Sequence, residues 1–471
     1  MAIEVNVANG DRSTVLDLYH GTLKIVGRTW QTGDAEEHTT KKARGEYGAD
    51  VAFSHFLPVM ESFQLVGAGT SSQLRAEIRR LQDAIEGARK YRTDPLEYET
   101  WWWEVNAAGE PARRSLIYRG SLQPAAEPTV DPFLRRPSMK WQVALERHPF
   151  FEPLTGSSLS TLARSTTGGV YRYSGIPGAV PARISELVLH APVDEMDIAT
   201  TVWLGFRPKY DGTADFEPVW PLAEGTAGTD ATVAGDATAY SGERVTVSFA
   251  TAAGWAQRVA LRLYAVSDYH SPPWTGNNIT HYRGRYLVLG RVKLSAANTA
   301  VGLRLKGKGQ SPGGDQFITN TVWRLVPLGY VQIPAWGGFD PGLNWGHYST
   351  WEVAVHAKRV EGAGSLYLDC LILIPQPHAV TVQGTTLGGA APYDVRVLTL
   401  PDDRRVAFGY WEAAESAGET LTFSAPSLYI PPGDGVMVVA ADYATGHVLD
   451  ATLDVTATYY PRWKSYREDT T

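Results

Sequence analysis

Residues 138–147 read Ser-Met-Lys-Trp-Gln-Val-Ala-Leu-Glu-Arg, an almost perfect alternation of apolar and polar side chains. Met139, Trp141, Val143 and Leu145 would face one side, with lysine, glutamine and glutamate on the other. A period of two residues is that of a β-strand with one buried and one solvated face. The alternation therefore predicts a half-buried strand and favours a mainly β fold.

The composition of the whole chain also favours several β-rich domains. The 471 residues include 15 tryptophans, 23 tyrosines, 46 glycines and 29 prolines. Aromatic side chains fit the pleated surface of a sheet, and glycine and proline mark the turns between short strands. Because single hydrophobic cores stop growing at about 250–300 residues, we expect roughly two to four domains.

One amphipathic helix is predicted among these strands. Apolar side chains recur at spacings of three and four from Leu74 to Ala88, which is the stripe of a helix packed on a core. Thr70 and Gln73 fit a capping box at its start. Residues 1–152 are therefore expected to form a compact β domain with a single helix packed across it.

The chain before this helix alternates between β-like and charged sequence. Thr14–Tyr19 and Thr22–Val26 flank a short turn and predict a hairpin. Gln31–Gly45 is densely charged and predicts a solvated loop, or a loop that becomes ordered only against a partner. Val51–Val66 is again apolar and β-like.

Three consecutive tryptophans, Trp101, Trp102 and Trp103, must place rings on both faces of their strand. One face is expected to lie on the core, and the other to meet another domain or another subunit. Together with Lys140 and Gln142 on the solvated face of the strand at 138–147, the three tryptophans are the candidate subunit-interface residues.

The remaining two thirds of the chain are predicted to form β-sandwich domains. Two segments are rich in glycine and in small or polar residues, Glu152–Gly178 and Thr213–Asp236, and the first is a plausible linker. Residues 153–242 would hold the linker and the first strands of a sandwich, 243–375 an inserted jelly-roll, and 376–471 the rest of the outer sandwich. The jelly-roll prediction rests on eight β-like runs with turn signals between them, at Arg244–Ala250, Arg258–Ala265, Tyr286–Leu294, Ala300–Lys306, Thr321–Val326, Tyr330–Ile333, Thr350–His356 and Gly364–Ile374.

An aromatic cluster in this region could contact a ligand. Trp336, Trp345, Tyr348 and Trp351 fall within sixteen positions, among glycines and hydrogen-bonding side chains. Exposed aromatic faces can stack on sugar rings, so these four are candidate glycan-binding residues. Packing in a core or an interface is the alternative, because buried aromatics dominate the energetics of both.

No catalytic, metal or cofactor site is predicted. Gly302–Gly309 reads G-L-R-L-K-G-K-G and nearly matches a phosphate-binding loop, but Gly309 stands where a hydroxyl is needed, and Leu303 and Leu305 suit the interior of a strand. The histidines are scattered without metal-ligand spacing. Cys370, the single cysteine, lies in an apolar run, which excludes an intramolecular disulfide and favours a buried thiol.

The charge and hydropathy patterns exclude two further classes of partner. The formal net charge is −7 and no strongly basic stripe is present, which argues against sequence-specific nucleic-acid binding. No run approaches 18 apolar residues and no signal-peptide pattern is visible at Met1–Gly10, so we expect synthesis in the cytoplasm and no insertion into a membrane.

The order of these elements resembles the tail-tube-like domain of distal tail proteins of long-tailed bacteriophages. The end of the chain at Tyr459–Trp463 is also similar to the close of such tail proteins, and residues 243–375 resemble a carbohydrate-binding-type jelly-roll. The matching parts of the N-terminal third are the hairpin Thr14–Val26, the helix Ser72–Tyr91, the strand pair Trp101–Val105 and Leu116–Leu122, and the segment Trp141–Phe151 that ends the domain.

The resemblance implies a split β-barrel with one helix packed outside, followed by β-sandwich and jelly-roll domains. It implies a non-enzymatic structural protein of the virion that forms a homo-oligomeric ring around the DNA channel and links the tail tube to the tip. A hexamer is favoured, with a trimer as the second choice, and the expected partners are other tail proteins and a host surface glycan. A tail-tube subunit or another baseplate ring would share the N-terminal pattern. A carbohydrate- or receptor-binding appendage of the virion and a glycoside hydrolase stay open as alternatives.

Overall fold

The structure is a computed structural model, and the fold that it shows is mainly β, as the sequence predicts. The residues that it describes are 3–9, 14–18, 21–28, 35–40, 50–56, 58–67, 69–91, 93, 99–106, 112–124, 129–130, 137–159, 163–164, 169–178, 180–190, 199–208, 216–264, 284–307, 310–312, 315–333, 350–376, 379–387, 393–402, 405–411, 419–423, 428–443 and 454–463.

The N-terminal unit is a nine-stranded antiparallel sheet with one helix, α1, packed on its core face. The sheet order is β2-β1-β7-β8-β10-β6-β3, with β11 paired to β8 and β9 paired to β10. The elements of this unit are β1 (Ile3–Asn9), β2 (Thr14–Asp17), β3 (Leu23–Arg28), β4 (Ala35–Thr40), β5 (Asp50–Phe56), β6 (Val59–Gly67), α1 (Ser71–Lys90), β7 (Thr100–Asn106), β8 (Arg113–Pro124), β9 (Thr129–Val130), β10 (Pro137–Arg147) and β11 (Glu152–Pro153).

The edge strands β2 and β3 show that this sheet is curled. Seven strands of a flat sheet, about 4.8 Å apart, would hold these edges about 29 Å from each other. The five residues between Asp17 and Leu23 can span at most about 22 Å. The amide of Gly21 donates to the Asp17 carbonyl at 3.1 Å, and the amide of Ile25 donates to the Leu18 carbonyl at 3.4 Å. The sheet therefore bends until its edges approach each other, which gives a split barrel.

The pairing of β2 and β3 corrects the predicted hairpin. The two strands flank a tight turn as expected, but β2 pairs with β1 and β3 pairs with β6. The charged stretch Gln31–Gly45 is also corrected in part, because Ala35–Thr40 is a strand that pairs with β5. The pattern at 138–147 is confirmed, since β10 buries Trp141, Val143 and Leu145 and exposes Lys140 and Gln142.

Helix α1 begins at the predicted capping box. The Gln73 amide donates to Thr70 Oγ1 at 3.4 Å, and the Thr70 amide donates to Gln73 Oε1 at 3.1 Å. The stripe of Leu74, Leu81 and Ile85 is buried against the sheet. The cap satisfies amides that have no partner within the helix, so the helix starts at a fixed position above the core.

Replacing Thr70 with alanine is expected to destabilise the N-terminal unit by about 1 kcal/mol, because an N-cap side chain satisfies one of the free amides. Urea unfolding followed by far-ultraviolet circular dichroism measures the change. The control is Gln82→Ala on the exposed face of the same helix, which should leave the midpoint nearly unchanged. Equal midpoints for Thr70→Ala and the wild type would contradict the capping role.

In the described part of the rest of the chain, the regular elements are strands and one 3-10 turn. In chain order the strands are β12 (Ser157–Ser158), β13 (Ala163–Arg164), β14 (Val170–Ile176), β15 (Val180–His190), β16 (Ala199–Pro208), β17 (Val219–Pro221), β18 (Thr226–Ala227), β19 (Ala231–Gly235), β20 (Glu243–Val247), β21 (Ala256–Tyr264), β22 (Gly284–Leu294), β23 (Ala300–Gly307), β24 (Gln310–Pro312), β25 (Gln316–Ile318), β26 (Arg324–Ile333), β27 (Thr350–Glu361), β28 (Leu366–Gln376), β29 (Ala379–Leu387), β30 (Tyr393–Thr399), β31 (Arg405–Trp411), β32 (Glu419–Thr420), β33 (Thr422–Phe423), β34 (Tyr429–Ile430), β35 (Gly433–Tyr443) and β36 (Asp454–Arg462).

The second unit is a sandwich assembled from two separate segments of the chain. One sheet has the order β12-β36-β15-β30-β31-β32, with β34 paired to β15, and the other has the order β13-β14-β35-β16-β29-β33. Residues 157–208 and 379–462 supply all of these strands, and their apolar side chains form one core. The segment 152–178, predicted as a linker, thus contributes three strands of this sandwich.

The third unit is a sandwich between these two segments. Its sheets are β19-β20-β28-β22-β26-β24, with β17 paired to β28, and β18-β21-β27-β23-β25. Its first strand begins at Val219. The segment Thr213–Asp236, which was not predicted to form strands, therefore contains strands β17 to β19 in its described part, 216–236. The predicted runs at 321–326 and 330–333 form one continuous strand, β26. Cys370 is buried in this core, and Ala300–Gly307 is a strand, as predicted.

The second and third units share an apolar contact. Trp203 of β16 belongs to the same buried cluster as the core of the third unit. Gly205 allows the approach, because a Cβ there would lie 2.7 Å from the Pro375 carbonyl oxygen. Arg324 Nε donates to Asp442 Oδ1 at 3.0 Å and ties the two units together at a second point.

Candidate assembly surfaces

The N-terminal unit is joined to the second unit through a buried group of charges. Glu152 Oε1 accepts from Arg183 Nη2 at 2.8 Å and from Arg114 Nη2 at 3.3 Å, and all three side chains are buried. Arg183 also donates to the Thr399 carbonyl at 2.8 Å. Burial alone would raise the pKa of Glu152, but the guanidinium groups of Arg183 and Arg114 hold it below its usual value. An ion cluster of this kind fixes the two units as long as it remains paired.

Aromatic rings surround this ion cluster. The Arg114 guanidinium lies 3.9 Å from the centroid of the Trp101 ring, and Arg183 lies 4.5 Å from that of Tyr460. Phe151 and Trp463 exchange backbone hydrogen bonds of 2.9 and 3.0 Å, which closes the N-terminal unit onto the last strand of the chain. The segment Tyr459–Trp463, which resembles the C-terminal end of phage tail proteins, thus forms a contact between two units.

The tryptophan triplet divides between this junction and the core. Trp101 is 1% exposed beside the junction, and its Nε1 donates to Glu99 Oε2 at 3.0 Å. Trp102 is 0% exposed in the core, 5.2 Å from the Phe63 ring, and its Nε1 donates to Glu104 Oε1 at 2.7 Å. Neither ring has a free face for a second subunit, which corrects the interface prediction for these two. Arg114 of the same unit lies over the Trp101 ring, and a contact of Trp101 with another domain stays a prediction.

The backbone of Trp103 pairs with Asn6 on one side and Arg114 on the other. Its side chain lies outside the described residues, so its assignment to a subunit interface stays a prediction.

Lys140 and Gln142 lie on a broad exposed face of the barrel. Gln142 is directly opposite Gln64 of β6 and Gln123 of β8, so three exposed glutamines form a row across the sheet. Val26 and Met60 are exposed at the edge of the same region. We call this surface, made by β3, β6, β8 and β10, the polar sheet face.

A buried ion pair that the sequence analysis missed lies behind this face. Arg147 Nη2 donates to Glu61 Oε1 at 2.7 Å, and both side chains are 1% exposed. Glu61 occupies a core position in the alternation of β6, between Val59 and Phe63. A carboxylate at an apolar position of the pattern is the signal that could have indicated this pair.

The candidate glycan-binding cluster lies outside the described side chains. Trp336, Trp345 and Tyr348 lie outside the described residues, and Trp351 of β27 is placed only by its backbone, opposite Leu263 of β21. Their role stays a prediction. Among the described residues, no group of three or more histidine, cysteine, aspartate or glutamate side chains is arranged to hold a metal ion. Helix α1, the helix in the described part, is too polar to cross a membrane.

Comparison with known proteins finds distant likenesses among solved structures. No protein-family model and no curated protein matches the chain. Among solved structures it is similar to hub and baseplate proteins of phages.

One of these structures is the SPP1 Dit protein, described as a paradigm of the hub adsorption apparatus in phages that infect Gram-positive bacteria. It is 8% identical, the alignment covers 97% of this chain and 98% of that chain, and the TM-score is 0.27. Two structures of the phage p2 baseplate in its activated conformation are also similar. The structure with Sr is 6% identical, the alignment covers 78% of this chain and 98% of that chain, and the TM-score is 0.22. The structure with Ca is 7% identical, with the same coverage of 78% and 98% and a TM-score of 0.21.

Proposed function

We propose that this chain is a structural, non-enzymatic component of a phage tail, a distal tail or baseplate protein. Its N-terminal unit would assemble with copies of itself into a ring around the DNA channel, with six-fold symmetry favoured over three-fold. The two sandwich units would lie outside the ring, and the ring would link the tail tube to the tip of the virion.

The observation that carries this proposal is the ribbon made by β4 and β5. Ala35–Thr40 pairs with Asp50–Phe56 in a sheet of two strands, and within the described part of the chain neither strand pairs with any other. A two-stranded hairpin is at best marginally stable alone in water. A neighbouring copy of the chain would supply the surface against which the ribbon packs, as the predicted partner-dependent ordering of Gln31–Gly45 requires.

The barrel from which the ribbon extends supports the same proposal. It is a curled sheet with one helix, the arrangement that the resemblance to distal tail proteins implies. The polar sheet face leaves Lys140 and Gln142 accessible for contact with another subunit. A subunit in a ring presents two different surfaces to its neighbours, and the ribbon and the polar sheet face are two such surfaces.

The buried junction at Glu152 suits a protein that connects two parts of a particle. The barrel and the second unit share an ion cluster, cation–π contacts and a backbone bridge, and the second unit shares its apolar contact with the third. These contacts would fix the outer sandwiches in place relative to the ring. We also propose that the insertion comprises about residues 216–376, because its strands fall within that span and so does its core apart from Trp203, Val438 and Ala440 of the second unit.

Removal of the ribbon tests the assembly. Replacing residues 35–56 with a short Gly-Ser linker is expected to convert a closed oligomer into monomers, because the ribbon would supply part of every subunit contact. Sedimentation velocity of the wild type and the variant measures the change. Circular dichroism checks that the barrel stays folded, since the strand order of its sheet does not include β4 or β5. Oligomers of unchanged size in the variant would exclude the ribbon as a subunit contact.

A second candidate function is a carbohydrate- or receptor-binding role for the third unit. The observation that favours it is a partly exposed sheet face on which Arg304 and Lys358 lie against the Trp255 ring. The two functions are compatible, because the ring contacts and this face lie in different units. The glycan cluster at Trp336–Trp351 remains a further candidate in the same unit.

A further inference from the structure

The outer face of the five-stranded sheet in the third unit gathers positive charge. Leu303, Leu305 and Val355 point into the core, so the alternate residues of β23 and β27 lie on the opposite face. Cross-strand pairs on that face are Arg304 with His356, Gly302 with Lys358, and Lys306 with Ala354. We call the surface made by Trp255, Arg304, Lys306, Phe317 and Lys358 the cationic face.

The three cations of this face differ from the third-unit cations that are paired with aspartates. Arg304, Lys306 and Lys358 form no ion pair with any described carboxylate, including Glu352 and Asp315, which are close in strand register. The Nε of Arg304 is buried and has no hydrogen-bond acceptor. The cations that are paired with aspartates are Arg244, Arg258, Arg291, Lys293 and Arg324.

Aromatic rings lie among these unpaired cations. The Arg304 guanidinium is 4.0 Å from the centroid of the Trp255 ring, and Lys358 Nζ is 4.9 Å from it. Phe317 is 61% exposed and lies opposite Gly302 in the sheet. A Cβ at Gly302 would be 3.2 Å from Lys358 Cε and 3.3 Å from the Trp255 ring, so the glycine lets these two side chains pack closely over the sheet.

The electrostatic field on this face is positive although the chain carries a net charge of −7. Burial lowers the pKa of His356, and the charges of Lys306, Arg304 and Arg258 lower it further. The same field that disfavours a proton on His356 attracts an anion to the surface beside it.

We propose that the cationic face binds an anionic polysaccharide. The exposed ring of Phe317, and Trp255 beneath the cations, offer apolar surface to the faces of the sugars. Arg304, Lys306 and Lys358 pair with acidic groups carried along the chain of sugars. A nucleic acid fits less well, because proteins that bind it commonly neutralise about 6–10 phosphates, whereas this face offers three cations on an acidic chain. The proposal deepens the second candidate function and does not depend on ring formation.

Affinity electrophoresis of the full chain through gels that contain polygalacturonate tests the proposal, with dextran as the neutral polymer. Polygalacturonate is expected to retard the wild type at low salt and to lose most of this effect at high salt, while dextran has little effect. Arg304→Gln with Lys358→Gln is expected to weaken the binding at least about tenfold. Phe317→Ala, which removes an exposed ring and cannot disturb the core, is expected to weaken it severalfold.

The matched control is Arg285→Gln. Arg285 is an exposed arginine 5.1 Å from the Tyr330 ring on the other sheet of the same sandwich, and its loss should leave the binding unchanged. Absence of binding to polygalacturonate at low salt would overturn the proposal, as would equal weakening by Arg285→Gln. Tighter binding of an oligothymidylate of matched charge would overturn it too. None of these results bears on the ring, which the ribbon deletion tests separately.

Discussion

Replacing Glu152 with alanine is expected to destabilise the junction between the barrel and the second unit by about 3–5 kcal/mol. The carboxylate accepts hydrogen bonds from Arg183 and Arg114, and all three side chains are buried. Its loss would leave two guanidinium groups without their counter-charge in a site closed to water. Chemical unfolding should show the loss as a lower transition midpoint for these two units.

Glu186→Ala is the matched control for this variant. Glu186 pairs with Arg396 at 3.2 Å, and both side chains are more than one third exposed. Exposed pairs contribute about 0–1 kcal/mol, so this variant should unfold close to the wild type. Similar effects of Glu152→Ala and Glu186→Ala would show that the junction does not depend on the buried charge.

The effect of Glu152→Ala should also depend on pH. The pKa of Glu152 is lowered in the folded chain, so its contribution is complete above the unfolded value of about 4.5 and is lost as the pH falls through the folded value. The difference in stability between the wild type and the variant is therefore expected to shrink in acid. A difference that grows on acidification would contradict the paired state of this carboxylate.

Leu81→Asp is expected to prevent folding of the N-terminal unit. Leu81 is buried in the middle of the apolar stripe of α1, and an aspartate there would place a charge in the core without a partner. The expected loss exceeds about 4 kcal/mol, which is among the largest effects of single substitutions. The third unit has its own core and should survive as a fragment of about residues 216–376 in limited proteolysis.

Gln82→Asp provides the control one position further along the same helix. Gln82 is exposed, so the same charge there should leave the N-terminal unit resistant to protease. If Leu81→Asp leads to complete digestion of the chain, the three cores do not fold independently and the proposed division into units is wrong.

Local patterns of the sequence predicted the elements that depend on neighbouring residues. The strand at 138–147 and the helix with its capping box follow from spacing and from contacts three or four residues apart. The pairing of β2 with β1 and of β3 with β6 depends on residues far along the chain, so the turn between β2 and β3 suggested the wrong partners. The strands at 219–235 were missed because glycine, alanine and aspartate, which are depleted in strands, are frequent in that segment.

For the candidate site residues, too, the predictions held where they depend on local spacing and failed where they depend on distant contacts. The alternation correctly placed Lys140 and Gln142 on an exposed face. It also required the tryptophan rings to lie on both faces of their strand, but it could not show that the second face of Trp101 is covered within the same chain. That coverage comes in part from Arg114, which lies on the neighbouring strand 13 positions further along the chain, and periodicity carries no information about such contacts.

The central claim is that the chain forms a ring, and an image of the purified full-length protein by negative-stain electron microscopy, together with its mass from native mass spectrometry, tests it most directly. The account predicts a closed particle with a central hole and the mass of six chains, or of three if the symmetry is lower. Single chains without a hole at every concentration, and one copy of the protein in each isolated tail, would contradict it.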